Sequence, residues 1–124
     1  GGSERQVLLQ VWGQPLYTVG GTQLLSDALE YCGYHNAYAE LRDAGPAIGV
    51  ESVLARDPAT IIAVAPSPEL GAEWLAGWRK LPALRAVRTG RLLAVNDQRF
   101  SRLGPAAIAA TETLCQRLAQ LPAA

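Results

Sequence analysis

The 124 residues are one domain's worth of sequence, long enough to bury a core and too short for two ordinary domains. Eleven Lys and Arg residues balance eleven Asp and Glu residues, which argues against non-specific nucleic-acid binding, since that rests on phosphate neutralisation and a basic excess. No apolar run approaches the roughly 20 residues needed to span a bilayer.

Residues 1–6, polar and opening on two glycines, read as a linker or a remnant of expression, so a single domain is expected over residues 7–124. No signal peptide stands in the chain, and that leaves the compartment open. "VLLQVW", residues 7–12, is a short apolar run rich in strand formers and stopped by Gly13, which predicts a buried strand. From Thr22 the spacing becomes helical: Leu24, Leu25, Ala28, Leu29 and Cys32 share a face, and Ser26, Asp27 and Glu30 lie opposite. Thr22 suits an N-cap and Gly33 a C-terminal stop. "NAYAELRDAGPAIG" then reads as a polar connection. Val50, Val53 and Leu54 mark a short helix that Asp57-Pro58 ends, because proline cannot continue the hydrogen-bond ladder.

"TIIAVAP", residues 60–66, has the unbroken apolar character of a central parallel strand covered on both sides. Pro68 suits the first turn of a helix reaching about Lys80, with Leu70, Trp74, Leu75 and Trp78 at helical spacing. A connection with room for a short helical turn leads to "RLLAV", another strand. "NDQRFSRLGP" is a loop, and Pro105 opens a last helix with Ile108, Thr111, Cys115 and Leu118 as its stripe. Strands alternating with helices predict an α/β three-layer sandwich, a small mostly parallel sheet with helices on both faces, as in a Rossmann-like lobe. Ligands of such sheets bind beyond the carboxyl ends of the strands, which selects the loops after Trp12, Ala65 and Val95.

Gly20-Gly21 invites a nucleotide reading, but "VGGT" has neither the third glycine of a dinucleotide fingerprint nor the lysine of a phosphate loop. It reads as a turn needing permissive backbone angles. His35, beyond a helix end, is the sole candidate base, and the nucleophile elbow GxSxG is missing. Glu51 and Asp57 form no informative pair in sequence. No catalytic constellation emerges, so no enzyme activity is expected. A small α/β enzyme or a signalling domain remains the rival class, although a receiver-type domain needs acidic residues at its strand ends, and "VLLQVWG" and "IIAVAP" end without them. Cys32 and Cys115 lack metal-site or CxxC spacing and read either as two buried thiols or as one disulfide. Metal binding is not expected.

The loops at the selected edge share a character. One holds Trp12, Gln14 and Tyr17; another holds Arg99, Phe100 and Arg102. Aromatic faces with guanidinium forks suit a large planar or macrocyclic ligand bearing amides or carboxylates. The alternative is that Trp12 packs in the core and the arginines are solvated.

Taken in order, "QPLYTVGGTQLLSDALEYCG", "GVESVLARDPATIIAVAP" and "RLLAVNDQRFSRLGPAAIAATETLC" resemble the C-terminal lobe of a class III periplasmic substrate-binding protein, over about residues 7–120. Within that family the chain is most similar to the cobalamin (vitamin B12) binders. The resemblance implies a protein that captures a corrinoid and delivers it to the permease of an ABC importer in the periplasm, with haem or a ferric siderophore as the alternative ligand and no resident cofactor. It implies a disulfide between Cys32 and Cys115, ligand contacts from Tyr17, Phe100 and Arg102 with Gln14 and Asp97 nearby, and a permease-docking carboxylate at Glu51. Glu51 also suits helix capping, as a carboxylate in a first turn. Two positions depart from the cobalamin pattern: Gly45 stands in place of a ligand-stacking tryptophan and Gln98 in place of an aspartate. The family binds ligand between two lobes joined by a long helix, so a partner N-terminal lobe is expected, and this lobe alone is expected to bind ligand weakly or not at all.

Overall fold

The protein is described by a computed structural model over residues 2–12, 17–18, 24–41, 47–96 and 105–124. A 3-10 turn, Gly2–Arg5, leads into strand β1 (Gln6–Trp12). Next come β2 (Tyr17–Thr18), helix α1 (Leu24–Tyr31), β3 (His35–Asn36), α2 (Val50–Arg56), β4 (Thr60–Ala65), α3 (Pro68–Trp78), α4 (Arg85–Arg88), β5 (Leu92–Asn96) and α5 (Pro105–Ala119). The expected three-layer α/β architecture is borne out.

Strand β4 lies between β1 and β5, parallel to both. β3 and β2 share the other edge of β1: β3 runs parallel along its start, with Gln6 opposite His35, and β2 runs antiparallel along its end, with Trp12 opposite Tyr17. All six residues of β4 are buried. The alternation of side chains sends Ile62 and Val64 to the face covered by α1 and α5, where they join Val7, Leu9, Leu29, Leu114 and Leu118. Ile61 and Ala63 go to the opposite face with Leu8, Tyr38, Val53, Leu75 and Trp78.

The punctuation read from the sequence is largely what ends and starts the helices. Gly33 takes φ 85°, a left-handed conformation open to glycine at little cost, and stops α1. Asp57 adopts the same region (φ 46°), its N–H closing on the Val53 carbonyl, and so ends α2. Ser67 caps α3, its Oγ accepting from the Leu70 N–H at 3.2 Å, with Pro68 in the first turn. Gly71 has a packing reason: a Cβ there would stand 3.0 Å from that of Ala94 and 3.6 Å from that of Ala65, so even a methyl would press α3 off the sheet by a few tenths of an ångström. Gly20, Gly21 and Thr22 lie outside the described residues.

Three expectations are corrected. Ile108 is 64 % exposed, and the stripe of α5 that meets the sheet is Ala107, Ala110, Leu114 and Leu118; small residues at the first two positions let the helix approach, and the larger Ile108 turns out. Ser26 is buried, not solvent-facing, because Asn36 Nδ2 donates to its Oγ at 3.1 Å. The segment after α1 is not wholly a polar connection: β3 pairs with β1, and Asn36 Oδ1 accepts from the Tyr38 N–H at 2.8 Å, turning Tyr38 into the core.

Cys32 and Cys115 are joined in a disulfide, with Cα atoms 5.1 Å apart, tying the end of α1 to α5. Trp78 Nε1 donates to the buried Gln10 Oε1 at 2.7 Å, linking α3 to β1. At the opposite end of the sheet from the selected loops, Arg91 is 5 % exposed and donates to Thr60 Oγ1 at 2.9 Å and to the Pro122 carbonyl, fastening the chain after α5 to the sheet.

Candidate functional site

The carboxyl ends of three parallel strands lie flush. Gln10 is level with Ala63, Ala63 with Ala94 and Ala65 with Asn96, and β1 runs on past Gln10 through an irregularity in its pairing with β2, so the edge is formed by the strand ends Trp12, Ala65 and Asn96. Tyr17 pairs opposite Trp12, which puts its backbone at the same edge, on the far side of β1 from β4 and β5. The segment carrying Asp97, Phe100 and Arg102 follows β5 in the sequence. From β2 to β5 is three strand spacings, about 14 Å. Gln14, Asp97, Phe100 and Arg102 themselves lie outside the described residues, as do Gly45, Gln98 and the side chain of Tyr17. Glu51 is described, in the first turn of α2.

Of the three apolar residues that mark helix α2 in the sequence, Val53 alone is buried; Val50 is 41 % and Leu54 38 % exposed, on the same side of the helix one turn apart. Glu51 is exposed between them and forms no hydrogen bond or ion pair among the described residues. Its Oε2 folds back so that it lies 2.9 Å from where a Gly49 Cβ would stand. Gly49 is the N-cap residue and gives no side-chain hydrogen bond, and Glu51 caps no helix N–H. The carboxylate is therefore a charge held near a helix end, among apolar neighbours, without a partner among the described residues.

A polar cluster beneath the same helix is not legible in the sequence. The hydroxyls of Tyr38 and Ser52 share a 2.8 Å hydrogen bond. Arg56, one turn on, forks onto both carboxylate oxygens of Glu40, donates to the Ala37 carbonyl, and stacks its guanidinium 4.0 Å over the Tyr38 ring. The hydrogen bond from Arg56 holds the Glu40 carboxyl below its ordinary pKa, and Glu40 in turn raises that of Arg56. His35 pairs with Glu30 at 3.1 Å on the surface. Among the described residues no three His, Cys, Asp or Glu side chains gather to hold a metal ion, and no helix is long and apolar enough to cross a membrane.

This architecture is the fold of one lobe of a periplasmic binding protein. It superposes on the periplasmic vitamin B12 binding protein BtuF of Vibrio cholerae with a TM-score of 0.77 and 24 % identity, covering 92 % of this chain and 44 % of that one. It superposes equally well on the periplasmic heme binding protein HutB of the same organism, with a TM-score of 0.78 and 17 % identity, covering 92 % of this chain and 47 % of that one. In sequence the chain is similar to vitamin B12-binding protein of Yersinia pestis (strain Pestoides F), 30 % identical over 118 residues, 95 % of this chain. It spans 40 % of that relative's length. The resemblance drawn from the three motifs is thus borne out at the level of a lobe. No protein-family model matches the chain.

Proposed function

We propose that this chain is the C-terminal lobe of an extracytoplasmic substrate-binding protein that captures cobalamin or a related corrinoid and delivers it to the permease of an ABC importer. The observation that carries this reading is the similarity to vitamin B12-binding proteins over 95 % of the chain. The geometry supports it. A row of flush strand ends about 14 Å wide, with Tyr17 at one side and, at the other, the strand that the Phe100 and Arg102 segment follows in the sequence, suits one wall of a cleft for a macrocycle. In this reading Tyr17 and Phe100 lie against the corrin, Arg102 hydrogen-bonds its peripheral amides, and Gln14 and Asp97 complete the polar rim. Glu51, outside the cleft, is the carboxylate that docks on the permease. The protein performs no chemical step; binding and hand-over are the function. The Cys32–Cys115 disulfide supports an oxidising compartment such as the periplasm.

In this proposal the opposite wall of the cleft belongs to an N-terminal lobe, and residues 7–124 form the single lobe. Haem is the second reading, favoured by the equally good superposition on a heme binding protein; a ferric siderophore follows it. The proposal is tested by titrating cyanocobalamin against protein carrying both lobes, followed by tryptophan fluorescence, and repeating it with Arg102→Ala. Loss of one charged hydrogen-bonding group is expected to weaken binding by roughly tenfold or more. Unchanged affinity would remove Arg102 from the site, and no binding by the unaltered protein would remove cobalamin.

A further inference from the structure

Helix α2 is only seven residues long, too short to hold its own geometry in water, and it buries a single side chain, Val53, on the sheet. Hydrophobic burial therefore fixes it weakly. Its outward side is Val50, Glu51, Leu54 and Ala55, an apolar ridge carrying one carboxylate, and all four are exposed. What fixes the helix is polar. Near its start Ser52 is bonded to the Tyr38 hydroxyl, and at its last residue Arg56 grips Glu40, the Ala37 carbonyl and the Tyr38 ring. Tyr38 is itself buried in the core below, and its own N–H is held by Asn36. The two ends of α2 are thus clamped to one rigid turn, residues 36–41, which is anchored to β1 through β3.

We propose that Arg56, acting with Tyr38 and Glu40, is a positioning residue that holds α2 so that Glu51, shouldered by Val50 and Leu54, meets a basic side chain framed by apolar residues on the membrane permease. The proposal rests on Glu51 being the docking carboxylate. The occupant follows from charge complementarity: a lone anion in an apolar ridge is matched by a lone cation in an apolar depression, and the register of such a contact depends on the orientation of the helix that carries it. Arg56 itself need not touch the permease. The fork to Glu40 and the ring contact with Tyr38 are what an arginine supplies and a lysine does not.

The test is binding of this chain to nanodisc-embedded permease and ATPase subunits of a vitamin B12 ABC importer, compared for the unaltered chain, Glu51→Ala, Arg56→Ala and the double variant. Hydrogen exchange of the α2 amides is read alongside. Glu51→Ala is expected to weaken binding by about thirtyfold or more, and Arg56→Ala by roughly fivefold to tenfold, with faster exchange confined to α2 and the turn at residues 36–41. Arg56→Lys falls between. In the Glu51→Ala background the Arg56 substitution is expected to have no further effect, because it works through Glu51. Should Arg56→Ala fail to fold, Tyr38→Phe keeps the core ring, removes the bond to Ser52 and is expected to weaken binding in the same direction.

Binding unaffected by Arg56→Ala while Glu51→Ala weakens it would overturn the positioning role and leave the docking carboxylate standing. An equal loss from Arg56→Ala with and without Glu51 would overturn it as well, by showing general destabilisation. Binding indifferent to Glu51, or absent in the unaltered chain, would take away the docking reading and the positioning role with it.

Discussion

At the scale of single residues, the cysteine pair has the largest expected effect on stability. The bond closes a loop with a sequence separation of 83, and in the chain-entropy picture that contributes about 4 kcal/mol by restricting the unfolded chain. Urea unfolding with and without reductant is expected to show a drop of that order; coincident curves would mean that α1 and α5 are held by packing alone. Glu40 gives a pH dependence. Its carboxyl is lowered by the hydrogen bond from Arg56, so the unfolded chain binds the proton more readily, and the stabilisation is fully present above the ordinary carboxylate range. It is lost as pH falls below that range through the depressed value. Protection of the α2 amides, corrected for the intrinsic exchange rate at each pH, is expected to fall over that acid window, and Glu40→Gln to flatten the response; an unchanged profile in Glu40→Gln would assign the acid sensitivity elsewhere. Because both side chains are substantially exposed, the effect is small. Neither Glu40 nor Arg56 carries a motif, and their pairing across a turn of irregular backbone has no periodic signature. Such a cluster is invisible until the chain is folded.

Among the elements, the helices and long strands are legible because their ends are written in residues with one main structural use: Gly33, Asp57-Pro58, Ser67-Pro68 and Pro105. What periodicity misassigns is the choice of face. Ile108 is the bulkiest apolar residue near the start of α5 and still turns outward, because the alanines at 107 and 110 let the helix sit close to the sheet. Two-residue strands such as β2 and β3 leave no period to detect, and their pairing is decided by β1. Close approach is also what makes Gly71 necessary. Gly71→Val is expected to destabilise the fold by about 1–3 kcal/mol through overpacking against Ala94 and Ala65. Gly77, on the same helix, has nothing within 4 Å of the place an added methyl would take, so Gly77→Ala is expected to stabilise by up to about 1 kcal/mol. Chemical denaturation of the two variants compares them directly, and equal effects would refute the packing argument for Gly71.

For the whole molecule, the alternation of strand and helix is enough to locate the carboxyl edge, and the parallel register of β1, β4 and β5 gives that edge its flush line. The identity of the ligand is a different kind of information. The same backbone superposes on proteins named for vitamin B12 and for heme, so the sheet does not distinguish the two ligands, and in the proposed reading the loops after β1 and β5 do. Those loops are read through residue types alone: in the proposed reading Gln14, Tyr17, Asp97, Phe100 and Arg102 face the ligand, while Gln98 there and Gly45 between β3 and α2 depart from the cobalamin pattern. The most direct measurement is therefore a competition. Protein carrying both lobes is mixed with equimolar cyanocobalamin, haemin and a ferric hydroxamate siderophore, and the bound species is read by native mass spectrometry. A one-to-one complex with cyanocobalamin is the predicted result, and exclusive occupancy by haemin or the siderophore would contradict the corrinoid assignment.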